Sequence, residues 1–408
     1  MAVTGKGPPL HTRAHLLVVT ALVALNISPF AVANQETNNP TPQPAGMSLT
    51  PNGVGSSAQN RISVSPAGFY PQNFLDVGNG VIAFTSGKAA SDNDALHILK
   101  PDGTGPKPRG IGSLLNPLAI SDDFIILSNL VVIDRSTGKF WDPGVAVYPY
   151  SPPAEPPTVL IQGDSVVLHH WTKDLLPPGN DFTKTRLTST LGRFHLPDLT
   201  LLKGTSLPFF GAFAPWADRY VGLGYMRSES TLQERPSIAI LDKDFRIVAQ
   251  HELPVERSAD GKECPIRWAF PIIRQNLLTY RLDCGGIRVY DLESLQEVSR
   301  LDAVGGSYRQ GGLLFSDNHL NIVDRELENG IALGPGHYHV REFDFPSLHL
   351  LDSFEFKAFE VGIASPFLYV VTNLGSPTHP EMKIDIYNSP SAAKAAIGLD
   401  QAAVQEQR

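Results

Sequence analysis

Residues 286–298 read GIRVYDLESLQEV: an alternating run, an aspartate, a short turn and a second alternating run. Nearly the same phrase returns as LVVIDRSTGKF (130–140), IAILDKDFRIV (238–248) and REFDFPSLHLL (341–351). Alternation with period two puts successive side chains on opposite faces of a strand, and an aspartate before small polar residues starts a turn well. Each phrase therefore reads as two strands joined by a tight reversal. Ahead of each repeat lies another pair of apolar runs around a tight turn, as in VGNGVIAFTSG (77–87), IQGDSVVLHH (161–170), IRQNLLTYRLD (273–283) and ASPFLYVVTN (364–373).

The strands that open these phrases end near Leu99, Asp134, Leu196, Leu241, Asp291, Asp344 and Tyr387, at intervals of 35, 62, 45, 50, 53 and 43 residues. A four-stranded unit returning every ~40–50 residues is the signature of a β-propeller, in which each blade buries its faces against its neighbours. The predicted fold is all-β: a seven-bladed β-propeller over residues 60–390, with about four strands per blade. After KIDIYNSP (383–390) no strand-like run remains to supply an outer strand, whereas NRISVSP (60–66) alternates Ile62 and Val64. The N-terminal strand is expected to close the last blade.

The bulk properties agree. In a chain of 408 residues, 42% hydrophobic content supports a large core, and 35 glycines and 34 prolines are the punctuation that many short strands need. The start of the chain reads as a signal peptide over residues 1–33: Lys6 and Arg13, then LLVVTALVAL (16–25), then Ser28-Pro29 and the small residues Ala31-Val32-Ala33. Ten apolar residues are too few to cross ~30 Å of hydrocarbon, so the chain is not expected to be membrane-embedded. Loss of that segment removes Lys6 and Arg13 and no acid, taking the net charge from −8 to −10. A nucleic-acid binder would need a basic stripe, and no nucleic-acid partner is expected. The expected location is periplasmic or extracellular. Residues 34–59 read as a disordered leader, and the Ala-rich tail at 391–408 as a frayed helix too narrow in its apolar face to pack.

LVVIDRSTGKF and FLYVVTNLGSP (367–377) resemble blades of the YVTN-type and quinoprotein amine dehydrogenase-like propellers. The resemblance spans the repeats and rests on strand and turn residues, so it implies architecture. VIDRSTGK is also similar to the propeller heavy subunits of bacterial amine dehydrogenases, whose cofactor sits in a separate small subunit. This chain reproduces no catalytic motif of such families, and no cofactor of its own is expected.

Cys264 and Cys284 flank a hairpin turn read at Arg274-Gln275. In an antiparallel hairpin centred there, facing positions sum to about 549, and these two sum to 548. Facing residues lie within disulfide range, and export supplies an oxidising compartment. A cross-strand disulfide is expected, with a metal pair or redox couple as the alternative.

Tight turns join first to second and third to fourth strands, while longer connections join second to third strands and blade to blade. Because strands alternate in direction, both long classes emerge on one face. Loops on a rigid scaffold are where function concentrates, so this face is the expected working surface. Tyr148, His170, Trp171, Arg227, Arg267, Tyr308 and Arg309 are its candidate binding residues, aromatics and arginines giving rigid contact area and directional donors. Against this stands loop packing for the aromatics and ion pairing for the arginines.

Other motifs fall away. His337 and His339 share a strand face, as a metal site requires, yet surface or loop-packing roles account for them, and no metal is assigned. VGGSYRQGG (304–312) has no following helix to make a nucleophile elbow. Asp134, Asp291 and Asp344 recur as turn residues. No catalytic residue is assigned. Two functions remain: a non-catalytic exported propeller binding a protein, peptide or glycan, or a propeller enzyme of lactonase or lyase type or a quinoprotein dehydrogenase subunit.

Overall fold

The computed structural model describes residues 61–64, 70–87, 95–111, 116–128, 130–142, 158–174, 186–227, 234–258, 260–266, 271–302, 309–316, 318–326, 336–375 and 381–397. The signal peptide and leader lie outside these residues, as do Tyr148, Arg267 and Tyr308. The first strand, β1 (Arg61–Val64), stands apart from the strands that follow it. Blade 1 is β2 (Tyr70–Gly78), β3 (Val81–Gly87), β4 (Ala95–Leu99) and β5 (Arg109–Gly110). Blade 2 is β6 (Pro117–Ile120), β7 (Phe124–Leu127), β8 (Val132–Asp134) and β9 (Phe140–Trp141). Blade 3 is β10 (Thr158–Gln162), β11 (Ser165–Asp174), β12 (Arg186–His195) and β13 (Leu201–Leu207). Blade 4 is β14 (Phe209–Trp216), β15 (Arg219–Arg227), β16 (Glu234–Leu241) and β17 (Ile247–Glu252). Blade 5 is β18 (Ile272–Arg274), β19 (Leu277–Arg281), β20 (Ile287–Asp291) and β21 (Gln296–Leu301). Blade 6 is β22 (Arg309–Ser316), β23 (His319–Glu326), β24 (Gly336–Asp344) and β25 (Leu350–Ala358). Blade 7 is β26 (Glu360–Ala364), β27 (Phe367–Asn373) and β28 (Met382–Tyr387), with β1 as its outer strand.

The chain is a seven-bladed β-propeller. Its ring closes as the sequence predicts, with Ile62 opposite Ile386 and Val64 opposite Ile384. Each of the seven seams between neighbouring blades holds its own apolar cluster among the described residues. Second strands carry residues buried on both faces, as in β15, because each lies between two neighbouring blades. Outer strands alternate instead: β17 and β21 turn every second residue to solvent.

The recurring aspartates do what a turn asks. Asp134 Oδ1 accepts from the Thr137 amide at 2.7 Å, Asp242 Oδ1 from the Asp244 amide at 2.8 Å, and Asp291 Oδ1 from the Ser294 amide at 2.7 Å. Within these turns an apolar residue takes the left-handed region: Leu199, Phe245, Leu295 and Leu348 have φ of 53°, 64°, 55° and 57°. That conformation costs about 1–2 kcal/mol for a residue with a Cβ. Phe245 is buried in the seam between blades 3 and 4, and burying such a side chain returns about 1.5–3 kcal/mol.

The tail departs from expectation. Residues 390–397 form a helix whose Ala393 is fully buried against blades 6 and 7, with Ala396 and Ile397 packed beside it. The helix needs no wide apolar face, because alanine permits close approach and polar ties share the work. Ser389 caps it by accepting the Ala392 amide at 3.1 Å, and Lys394 pairs with Asp352 at 2.6 Å.

Candidate functional site on the long-loop face

Strand direction sends the tight turns to one face. Two residues each join β2 to β3, β10 to β11, β14 to β15 and β18 to β19. The opposite face receives connections over 142–157, 175–185, 253–271 and 327–335. Not every connection there is long: only Pro208 separates β13 from β14, and only Phe359 separates β25 from β26. The bulk of that face is thus concentrated over particular blades, and the connection between blades 4 and 5 is the most fully described.

This connection folds on itself. The Cys264 amide donates to the Glu256 carbonyl at 2.9 Å, Arg257 bridges Glu263, and the Ser258 amide donates to the Lys262 carbonyl at 2.8 Å. Gly261, at φ 80°, makes the reversal. The hairpin is fastened on both sides. Toward blade 5, Cys264 and Cys284 form a disulfide with Cα atoms 5.3 Å apart, and the Asp283 amide donates to the Pro265 carbonyl at 2.9 Å. Toward blade 4, the Leu253 amide donates to the Pro236 carbonyl at 2.7 Å, and the Ile266 amide to the Tyr225 hydroxyl at 3.2 Å.

The disulfide is the one expected, although the turn lies one residue further on, at Gln275-Asn276, with Ile272 opposite Thr279. Gln275 takes the left-handed conformation that sets this turn, at φ 55°. Ile266 still faces Leu282.

Under the hairpin lies a cavity of about 360 Å³. Blade 4 contributes Tyr225, Glu234 and Pro236, and blade 5 contributes Tyr280 and Leu282. The hairpin closes it with Pro254, Val255, Glu256, Glu263 and Pro265. Among the described residues its lining holds three carboxylates and no lysine, arginine or histidine. Glu256 is fixed from behind by Arg288 Nε at 2.8 Å and Arg300 Nη2 at 2.9 Å, and the Arg288 bond first holds its carboxyl below the usual range. Glu263 shares a surface pair with Arg257 at 3.0 Å. Glu234 makes no hydrogen bond or ion pair among the described residues. Burial raises the Tyr225 hydroxyl, and the neighbouring carboxylates of Asp283, Glu263 and Glu234 raise it further. Tyr280 is 4% exposed, its hydroxyl is raised mainly by burial, and it has no hydrogen-bond partner among the described residues.

Of the residues singled out from sequence, Arg227, His170, Trp171 and Arg309 are among the described residues. Arg227 ends β15 opposite Glu234 of the cavity wall, and its Nε and Nη1 are buried without partners among the described residues. His170 and Trp171 lie on β11, opposite Thr190 and Ser189, and Arg309 begins β22. These four sit on blades 3, 4 and 6. His339 turns to its cross-strand neighbour Glu355, with Nδ1 2.6 Å from Oε1, and His337 faces Lys357. Among the described residues one serine–histidine pair is formed: Ser86 Oγ lies 2.7 Å from His97 Nε2. Both are buried in the seam between blades 7 and 1, and burial takes the imidazole down to about 4.

No family model and no curated protein matches the chain. Solved structures do. The β-propeller domain of Myceliophteria thermophila Cps50 (Swd1) aligns at TM-score 0.48 and 13% identity, covering 80% of this chain and 99% of that one. BamB from Moraxella catarrhalis aligns at TM-score 0.44 and 11% identity, covering 81% and 92%. The computationally designed Ika8 protein aligns at TM-score 0.46 and 14% identity, covering 84% and 99%. The fold itself rests on the order of the strands in the seven sheets.

Proposed function

We propose that this chain is an exported, non-catalytic propeller that binds a protein, peptide or glycan through its long-loop face. The observation that carries the reading is the cavity between blades 4 and 5. It opens on that face, is walled by two rigid blades, and is roofed by a hairpin fastened to both. A preformed, largely apolar recess with a few placed polar groups is the ordinary form of a binding site. The disulfide supports export, since such bonds persist in oxidising compartments.

Selection of peptides from a random display library on the full chain tests this. Selected peptides should lose binding to variants of the long-loop face, such as Val255→Asp, and keep it for variants of the tight-turn face, such as Asp218→Ala. Peptides whose binding maps to the tight-turn face would overturn the reading.

A further inference from the structure

The chemistry of this cavity specifies its occupant more closely, and the inference rests on the binding reading above. We infer that it takes a positively charged side chain, arginine or lysine, presented by a partner polypeptide beside an apolar residue.

Charge argues for the cation. Among the described residues, three carboxylates line the recess and no basic side chain does. Arg288 and Arg300 are spent on Glu256 from behind, and Arg288 also donates to the Leu301 carbonyl at 2.9 Å. Arg257 pairs with Glu263 at 3.0 Å, and Arg227 stands opposite Glu234 without an ion pair to it among the described residues. Glu234 is left with no partner of its own among the described residues. Burial raises the Tyr225 hydroxyl first, and the carboxylates of Asp283, Glu263 and Glu234 beside it raise it further.

A second observation concerns hydrogen bonding. A hydroxyl with no protein partner that opens into a recess is a ready acceptor for an incoming donor. Tyr280 lines the cavity from blade 5, has little exposed surface, and has no partner for its hydroxyl among the described residues, while that oxygen stays accessible from the recess. A guanidinium or ammonium donor entering the recess would be accepted by that oxygen while its charge faces the carboxylates.

Shape argues for the apolar neighbour. About 360 Å³ exceeds one side chain, and the hairpin presents Val255, 55% exposed, between Pro254 and the carboxylates. The basic side chain's stem and an adjacent leucine or valine would cover these prolines and Val255 without desolvating a charge.

The test uses the full chain and two fluorescein-labelled pentapeptides, Ala-Leu-Arg-Leu-Ala and the same sequence with citrulline for arginine. Citrulline keeps the size and most hydrogen bonds and removes the charge. Fluorescence anisotropy should show the arginine peptide binding at least about tenfold more tightly at 50 mM salt, with most of that advantage lost at 500 mM. Glu234→Gln with Glu263→Gln should abolish the preference, and Tyr280→Phe should weaken it about threefold or more, with melting temperatures unchanged. Equal binding of the two peptides, or a preference these variants leave intact, would overturn the inference. Should neither peptide bind while library-selected peptides still map to the long-loop face, the cationic occupant is refuted and the binding face survives. Absence of both kinds of binding removes both.

Discussion

Blade 5 meets its two neighbours in contrasting ways, and adjacent residues of β19 show it. Tyr280 faces blade 4 and meets the cavity, with its hydroxyl unengaged among the described residues. Arg281 faces blade 6 and lies 2.6 Å from Asp324, which also accepts from Arg341 at 3.0 Å. Asp324 is 1% exposed and Arg281 6%. One seam is filled by a buried ion-pair cluster, although Arg281 Nε and Nη1 and Arg341 Nε find no hydrogen-bond partner there among the described residues; the other leaves room beside the Tyr280 hydroxyl. The difference teaches where to look for function in a repeat fold, where every blade shares the scaffold and only the seam contents differ.

The largest effect should come from breaking the closed seam. Asp324→Ala leaves two guanidinium groups facing each other without their carboxylate, and truncating one member of a buried ion pair costs about 3–5 kcal/mol. A loss of unfolding free energy, read by urea titration, of less than a quarter of that would mean that Arg281 finds another acceptor. Next is the staple of the open seam. Cys264→Ser with Cys284→Ser should cost about 2–4 kcal/mol, the usual range for a native disulfide. Hydrogen exchange should quicken mainly at residues 253–266, since the hairpin hangs on that bond. Uniform loosening across all blades would show the bond serving the ring rather than the recess.

A third seam gives a pH dependence. His97 titrates at about 4 in the fold because burial disfavours its charged form, against an ordinary value of 6.5. A depressed histidine contributes stability that is complete above 6.5 and is lost as pH falls toward 4. The loss at pH 5 should be about 2 kcal/mol relative to pH 7.5. His97→Phe should flatten the melting temperature between those two values; an unchanged slope would place the acid sensitivity elsewhere. The smallest effect belongs to the tail helix. Lys394→Ala removes an exposed ion pair with Asp352 and should cost about 0–1 kcal/mol, read by thermal melting. A larger loss would show that the helix braces blades 6 and 7 more than its contacts suggest.

The repeat was legible because its signals are local. Leu99, Asp134, Leu241, Asp291, Asp344 and Tyr387 each end a strand, and Leu196 falls one residue beyond His195. The β1 latch and the disulfide were legible too, since both follow from counting strands and opposing positions. The cavity was not. The connection that roofs it could be found as a long, charged, proline-bearing stretch, but its floor is assembled from Tyr225, Glu234 and Tyr280 on three strands of two blades. Alternation shows which face of β19 a residue occupies; it does not show that one seam is closed by an ion pair and the next left open. The packed tail helix escaped notice for a related reason, because a single buried alanine carries no periodic signal.

The central claim is that the recess under the 253–266 hairpin is where a partner docks. Hydrogen–deuterium exchange of the full chain, with and without a library-selected peptide at saturation, tests it most directly. The expected result is slowed exchange at residues 253–266 and at the ends of β15, β16 and β19 nearest the cavity, with the turns at Asn79-Gly80, Ala217-Asp218 and Gln275-Asn276 unaffected. Protection confined to those turns would contradict it.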